Sequence, residues 1–568
     1  MAEKRWVFKS APEQDAIDNL SNSINVSPPI ASILLQRGVD SFEAAKNFFR
    51  PSLDMLHDPF LMKDMDKAVD RVIKAFDSKE KILVYGDYDV DGTTSVALFY
   101  GFINSFHFDS AFYIPDRYKE GYGISKQGID WASENGYSLI VALDCGIKSN
   151  NLVQYATSLG IDFIICDHHR PGDSIPEAIA VLDPKREDCP YPFKELPGCG
   201  IGFKLIQAIV SQRPRIKANP YDFLDLVVVS IASDIVPIVG ENRTLAHFGL
   251  IQLNKNPRPG LKALMRLARN IKELTITGIV FGLAPRINAA GRIAHAHGAV
   301  DLLLAESEDE AYHFGEKLNV KNNQRRDFDS AITEEAVEMI ANNVALIDAK
   351  TTVLFKNDWH KGVIGIVASR CIEKYYRPTI ILTESEGKAT GSARSVPGFD
   401  VYEAIDSCSH LLDHFGGHKY AAGLTLDLDK VEEFQKLFET VVSQTIADEM
   451  LIPQVEIDAK ILLDSITGKF YNILKQMEPY GPENMTPIFM AEELYLASSL
   501  TVIKEKHLKF KVGQTNNTST FDCIGFGFGH LAEEISQDML FKMTFTIEEN
   551  EFRGVTTLQL QIKDIKYD

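Results

Sequence analysis

Apolar and polar positions along the chain follow two different rhythms. From about residue 80, short apolar runs recur in "KILVYG", "AFYIP", "SLIVALD", "DFIICD" and "AIAVLDP", separated by helical stretches of mixed polarity. Apolar runs of this kind, joined through helical segments, predict parallel strands covered on both faces and connected by crossovers. "YDFLDLVVVSIASDIVPIV" predicts a buried helix ending near Asp234. A second α/β unit begins at "TTVLFKN" and takes in "TIILT" and "GKATGSARSV". From about residue 455 the rhythm changes to strict alternation in "LKFKV" and "TLQLQI", which predicts antiparallel strands.

Between these blocks, residues 306–345 are charge-rich and contain no proline and no glycine after Gly315, so they read as a long connecting helix. Five or so C-terminal strands with one short helix suit an OB-fold barrel. The expected organisation is an N-terminal segment over 1–75, a parallel-sheet α/β domain over 76–305, the connecting helix over 306–345, a smaller α/β domain over 346–452 and the barrel over 453–568. A chain of 568 residues is too long for one core, which agrees with this division. No apolar run approaches the ~18 residues of a membrane span, and the start lacks the apolar core of a secretory signal. Seven cysteines without CxxC spacing favour a reducing, cytoplasmic setting and suggest neither a disulfide framework nor a zinc site. The net charge of −20 argues against nucleic acid coating the whole surface, yet allows a local basic channel.

Chemistry concentrates at the strand ends. "LVYGDYDVDGTTS" places Asp87, Asp89 and Asp91 directly after one apolar run, "SLIVALDCG" ends another at Asp144, and "DFIICDHH" ends a third at Asp167, His168 and His169. In an open parallel sheet the carboxyl ends of strands converge on one crevice, and "SIASD" can add Asp234 to it. A DxD or DHH alone is commonly a turn or a cap. Three acidic strand ends in one domain are different, because clustered carboxylates repel one another unless a multivalent cation lies among them. Oxygen and imidazole donors without thiolates suit manganese or magnesium. Two such ions sharing a carboxylate are an arrangement for phosphoester hydrolysis, and Asp144, central in the set, is the candidate bridge.

The motifs "DYDVDG", "DCG", "DHH" and "SDIVPIVGENR", in that order, resemble the DHH phosphoesterase superfamily and, more narrowly, its RecJ family of single-stranded-DNA-specific 5′-to-3′ exonucleases. "IPDRYKEGYG", "LAPRINAAGR", "GVIGIVASR", "GSARS" and "GGHKYAAG" extend the resemblance over nearly the whole chain, the last three into a DHH-associated domain. It implies metal ligands at Asp89, Asp91, Asp144, His168 and Asp234, with two Mn2+ or Mg2+ ions, and a catalytic role for His169 beside the scissile phosphate. Asp87 stands in for a histidine that related enzymes carry at the position of Tyr85, and Asp167 is expected to orient the histidines. The implied activity is hydrolysis of single-stranded DNA to mononucleotides in repair and recombination, with a single-strand-binding protein and a helicase as partners and no membrane.

Phosphate contacts call for cations, hydroxyls and close backbone approach. Ser392 and Arg394 are expected near a terminal 5′-phosphate with Arg117, while Arg286, Asn288 and Arg292 are expected to touch the strand or brace the site. Gly416, Gly417 and His418 form a further candidate contact. Lys509 and Lys511 share one face of a barrel strand, opposite Leu508, Phe510 and Val512, and are candidate backbone contacts. "PYGPENMTPIF" resembles a family turn usually richer in glycine. Three other functions fit parts of the pattern: an RNA-directed 5′ exonuclease, a phosphodiesterase for short oligonucleotides or cyclic dinucleotides, and a non-catalytic replication scaffold. The chain's length argues against the second, and its retained acidic residues against the third.

Overall fold

Continuous apolar runs become strands here because helices cover both of their faces. In the computed structural model, which describes residues 4–106, 109–268, 273–293, 296–536 and 539–567, the chain forms two compact units. One comprises residues 46–324 and 477–486, the other residues 1–45, 325–476 and 487–568. After a short strand β1 (Arg5–Phe8), the first of these units builds an all-parallel sheet from β2 (Ile82–Gly86), β3 (Ser110–Tyr113), β4 (Leu139–Leu143), β5 (Asp162–Cys166) and β6 (Ala180–Leu182). Every residue of β2 and β4 is buried. Leu83, Tyr85, Ile140 and Phe163 pack on one face with Ile129 and Val153, whereas Val84, Val141 and Ile164 pack on the other with Leu98, Phe203 and Val228.

The strand order is β3-β2-β4-β5-β6, so the winding reverses at β2. A crevice therefore opens beyond the carboxyl ends of β2 and β4. The Leu224–Ser233 helix ends at Asp234, where the apolar pattern places its end. Within the same unit Lys204 and Glu241 form a fully buried ion pair at 2.6 Å. Tyr191 donates its hydroxyl to Glu241 (2.6 Å), His57 donates its backbone N–H to the same carboxylate (2.8 Å), and Lys204 donates to the His57 carbonyl (2.9 Å). Arg243 donates to the carbonyls of Met477 (2.9 Å) and Glu478 (3.0 Å) and lies 3.8 Å from the centre of the Phe48 ring, which fixes the sequence-remote turn 477–486 in this unit.

In the other unit, β7 (Thr352–Phe355), β8 (Thr379–Ser385), β9 (Lys388–Arg394), β10 (His414–His418) and β11 (Ala421–Leu426) form a sheet in the order β10-β11-β9-β8-β7, in which β7 and β8 alone run parallel. β12 (Gln454–Ile457) pairs in parallel with β1, and Trp6 adds a hydrogen bond to Asp564 at 2.7 Å, so the N-terminal residues are part of this unit. The last strands are β13 (Ala459–Lys460), β14 (Phe489–Leu496), β15 (Thr501–Ile503), β16 (His507–Gln514), β17 (Thr520–Gly525), β18 (Phe541–Phe552) and β19 (Val555–Tyr567). β14 pairs with both β18 and β16, β16 with β17, β17 with β19 and β19 with β18, so the pairing circles through five strands and returns. This is the expected OB arrangement. The β17–β19 pair is parallel rather than antiparallel, because the chain reverses twice before β19 reaches β17. The short β13 also pairs in parallel, with β14.

The long helix runs over Glu308–Ala341, 34 residues, and spans about 50 Å at 1.5 Å per residue. Asn343 then caps a short following helix through the amides of Ala345 and Leu346. No helix among the described residues is long and apolar enough to cross a membrane.

Replacing Lys204 with Met leaves Glu241 buried without its cation. The expected cost is about 3–5 kcal/mol, read as a lower thermal midpoint by calorimetry. Adding Glu241→Leu to that variant should recover part of the loss.

Candidate metal centre

Three strand ends and one helix end assemble the cluster. Asp87 follows β2, Asp144 follows β4, and Asp167, His168 and His169 follow β5. Asp89 caps the Val90–Asn104 helix, its Oδ1 accepting from the Gly92 amide at 3.0 Å. Gly92 is required in that tight turn, since an added Cβ would lie 2.4 Å from the Asp87 carbonyl oxygen. Asp91 is held at both oxygens. Oδ2 accepts from the Gly198 amide (2.6 Å), and Oδ1 accepts from the Cys199 amide (2.9 Å) and the Ser230 hydroxyl (2.7 Å). The first two donors lie at the N-terminus of the Gly198–Gln212 helix, where amides have no intrahelical partner. That helix can come so close because Gly198 has no Cβ, which would sit 2.6 Å from the Asp144 Cβ.

His168 Nε2 lies 3.2 Å from Asp144 Oδ1, 3.5 Å from Asp234 Oδ2 and 3.7 Å from Asp91 Oδ2. Buried Asp144 Oδ1, Asp87 Oδ2 and both ring nitrogens of His168 have no hydrogen-bond partner among the described residues. Orphaned polar atoms of this kind are costly in a protein interior. Donor atoms held ~2.1 Å from one divalent ion lie roughly 3 Å from each other, so the observed spacing and donor chemistry fit a cation. Two donor sets are gathered, in each of which the ligand atoms lie within 4.8 Å of one another: Asp144 with His168 and His169, and Asp91 with His168 and Asp234. Asp87 and Asp89 flank these sets, the former held by a 3.4 Å contact from the Gly123 amide to Oδ1.

Asp167 stands behind the cluster. It accepts from the backbone amides of Ile147 (2.8 Å), His168 (2.8 Å) and His169 (3.1 Å), and from His169 Nδ1 (2.8 Å). His169 Nε2 thereby faces away from Asp167 and meets the Tyr122 hydroxyl at 3.1 Å, while that hydroxyl donates to the Asp144 carbonyl at 3.3 Å. Electrostatics separate the groups. Burial, then the charges of Asp91 and Asp89, pushes Asp144 well above the usual carboxylate range. Burial and the Asp89 charge do the same to Asp87, and burial with Asp91 and Asp89 raises Asp234 to about 8. Burial lowers His168 to about 4, against the pull of Asp91. For Asp167, burial alone would raise the value, but the hydrogen bond and charge of His169 outweigh it and hold it at about 2. The same partner lifts His169 to about 9 against burial.

The other candidate residues divide by unit. Arg117 lies over the Tyr88 ring at 5.0 Å, beside the Asp87–Asp89 loop. Arg286 donates to Asn319 Oδ1 (3.0 Å) and the Leu267 carbonyl (3.1 Å), which makes it a brace between the Ala284–Ile293 helix and the long helix. Asn288 and Arg292 share that first helix, and the Arg292 carbonyl accepts from the Tyr118 hydroxyl. In the second unit Arg394 donates to Ser392 Oγ at 2.9 Å on β9. Gly416, Gly417 and His418 lie exposed on the edge strand β10, and Lys509 and Lys511 alternate along β16 with buried Leu508, Phe510 and Val512. Sequence reasoning missed Tyr122, Ser230 and the Gly198 and Cys199 amides. Ser230 carried a local signal, four residues before Asp234 and so on the same helix face, and Tyr122 lies within the "IPDRYKEGYG" segment.

Sheet topology and cluster together define the class of protein: a DHH phosphoesterase. The model of the DHH family N-terminal domain matches residues 81–231, that of the DHHA1 domain residues 348–444, and that of the RecJ OB domain residues 457–564. The single-stranded-DNA-specific exonuclease RecJ of Bacillus subtilis is 37% identical over 564 residues, covering 99% of this chain and 70% of that protein. The corresponding enzyme of Escherichia coli is 31% identical over 557 residues, covering 95% of this chain and 96% of its own length. The crystal structure of Thermus thermophilus RecJ in complex with Mn2+ superposes with a TM-score of 0.85 at 25% identity, covering 99% of this chain and 80% of that one. The chain belongs to the RecJ family.

In metal-free protein, Asp87, Asp144 and Asp234 have folded-state pKa values above their unfolded ones. Their contribution to stability is full below about pH 4 and is lost as pH rises, through about 8 for Asp234. Thermal midpoints in chelator should therefore fall between pH 5.5 and 8.5, and added Mn2+ should flatten that slope. Asp144→Asn, which removes the need to bury an ionisable carboxyl beside Asp91 and Asp89, should raise the metal-free midpoint at pH 8 while losing the Mn2+-induced shift.

Proposed function

We propose that this chain is a divalent-metal-dependent exonuclease that releases mononucleotides from the 5′ end of single-stranded DNA, with two Mn2+ or Mg2+ ions at the cluster. The observation that carries this reading is the set of orphaned donors on Asp87, Asp144 and His168, gathered at the sheet's switch point. Asp89, Asp91, Asp144, His168 and Asp234 would hold the ions, with Asp87 as a further donor. Bound there, divalent ions would neutralise phosphate charge and lower the pKa of water.

The chain's own residues do the rest. Asp167 fixes the His169 ring so that Nε2 faces the reaction centre, where it can donate a proton to a phosphate oxygen or stabilise its charge. The Tyr122 hydroxyl keeps that nitrogen in register with the Asp144 backbone. Amides at the head of the Gly198–Gln212 helix and the Ser230 hydroxyl hold Asp91 against rotation. Arg117, Asn288, Arg292, Ser392, Arg394, the Gly416–His418 segment, Lys509 and Lys511 are the contacts to the strand, with Ser392 and Arg394 at the 5′-phosphate. Arg286 supports the site as a brace. All seven cysteines are buried and unpaired, which suits work in a reducing cytoplasm. A single-strand-binding protein and a helicase are the partner classes that would supply such strands.

End-labelled single-stranded DNA, RNA and duplex, incubated with Mn2+ or Mg2+, test the substrate and polarity. Mononucleotides released from the 5′ end of single-stranded DNA alone are expected, and equal degradation of RNA would overturn the DNA assignment. His169→Ala should lower kcat by about 10²–10⁴-fold with Mn2+ binding retained. Arg394→Ala should reduce the advantage of a 5′-phosphorylated end over a 5′-hydroxyl by about 10-fold or more, measured as a ratio of kcat/KM values.

A further inference from the structure

Directly after Asp234 the backbone places Ile235 in the left-handed region, at φ 58°. A β-branched residue is disfavoured there, because its Cβ crowds the neighbouring carbonyl. Burial does not compensate for this: Ile235 is 65% exposed. Glycine or asparagine would serve folding better at such a position. The flanking structure is fixed on both sides. The Asp234 amide donates to the Ser230 carbonyl at 2.9 Å, Val236 and Ile238 are buried, and the Ile238 amide donates to the Pro482 carbonyl at 2.8 Å. The turn carrying Pro482 is itself gripped by Arg243. Strain that the surroundings over-determine is characteristic of functional segments. A single exposed isoleucine ordinarily needs no explanation. This one is strained, held rigidly, and one residue from a carboxylate lying 3.5 Å from His168 Nε2.

We infer that Ile235 is a substrate contact whose apolar side chain packs against the sugar and base of the nucleotide carrying the scissile phosphate. The inference rests on the exonuclease reading above and adds a residue to it. Such a contact tolerates any sequence, since every nucleotide offers an apolar base face and a sugar edge. It would also restrict how the strand end turns at the metal centre, which is where orientation governs rate. The rival account is that the left-handed backbone serves only to aim Asp234, with the side chain idle.

Full-length Ile235→Gly separates the two, because glycine keeps the backbone conformation and removes the side chain. The expected result is a thermal midpoint equal to or above wild type and Mn2+ affinity within about twofold by calorimetric titration. With these, kcat/KM on a single-stranded DNA oligonucleotide should fall by about 5- to 20-fold. Ile235→Asn should behave like the glycine variant, and Ile235→Val should stay within about twofold of wild type. Unchanged kcat/KM in Ile235→Gly would overturn the contact, as would activity that falls only in proportion to Mn2+ affinity. A wild-type enzyme that leaves single-stranded DNA intact would instead sink the exonuclease reading itself.

Discussion

Carboxylates crowded into a crevice repel one another, and the surrounding structure serves to hold them there in spite of it. Burial raises Asp87, Asp144 and Asp234 together, and each feels at least one neighbouring aspartate. Without a cation the group is frustrated, with buried oxygens and nitrogens that no atom of the described residues satisfies. With one, the same atoms would serve as ligands. The cluster's instability as a set of charges and its fitness as a metal centre are one property.

Rigidity is the counterpart of that repulsion. The candidate ligands come largely from strand ends whose backbones are locked by parallel ladders, and Asp91 is tied at both oxygens by amides and a hydroxyl from two further helices. Behind them, the buried Lys204–Glu241 pair ties the loop at His57 to two helices, and Arg243 binds the 477–486 turn beside the segment carrying Asp234. Buried ion pairs add little net stability when complete but are costly to break.

The arginines illustrate how a structure sorts residues that look alike in sequence. Arg243 and Arg286 turn inward to backbone carbonyls and brace elements against each other. Arg117 lies on an aromatic ring next to the acidic loop, and Arg394 reaches a hydroxyl on its own strand. A motif marks all four positions, but only the partners distinguish a brace from a side chain placed at a surface. The same holds for the histidines: His168 is surrounded by carboxylate oxygens, whereas its neighbour His169 is clamped by Asp167 and turned toward Tyr122.

The strands, their parallel order within an α/β unit, the long helix and the C-terminal OB strands were legible because each is written in local periodicity. The acidic strand ends were legible for the same reason, since a parallel sheet must bring its carboxyl ends to one side. The amides of Gly198 and Cys199 at Asp91, the hydroxyl of Tyr122 at His169, the turn at 477–486 beside Ile238 and the left-handed Ile235 were not. The first three join residues far apart in sequence, and the last is a backbone strain imposed by its neighbours. Sequence alone thus determined which side chains could meet a cation. Tertiary structure decided how they are held, because long-range hydrogen bonds and close backbone approach exist only once the elements have packed.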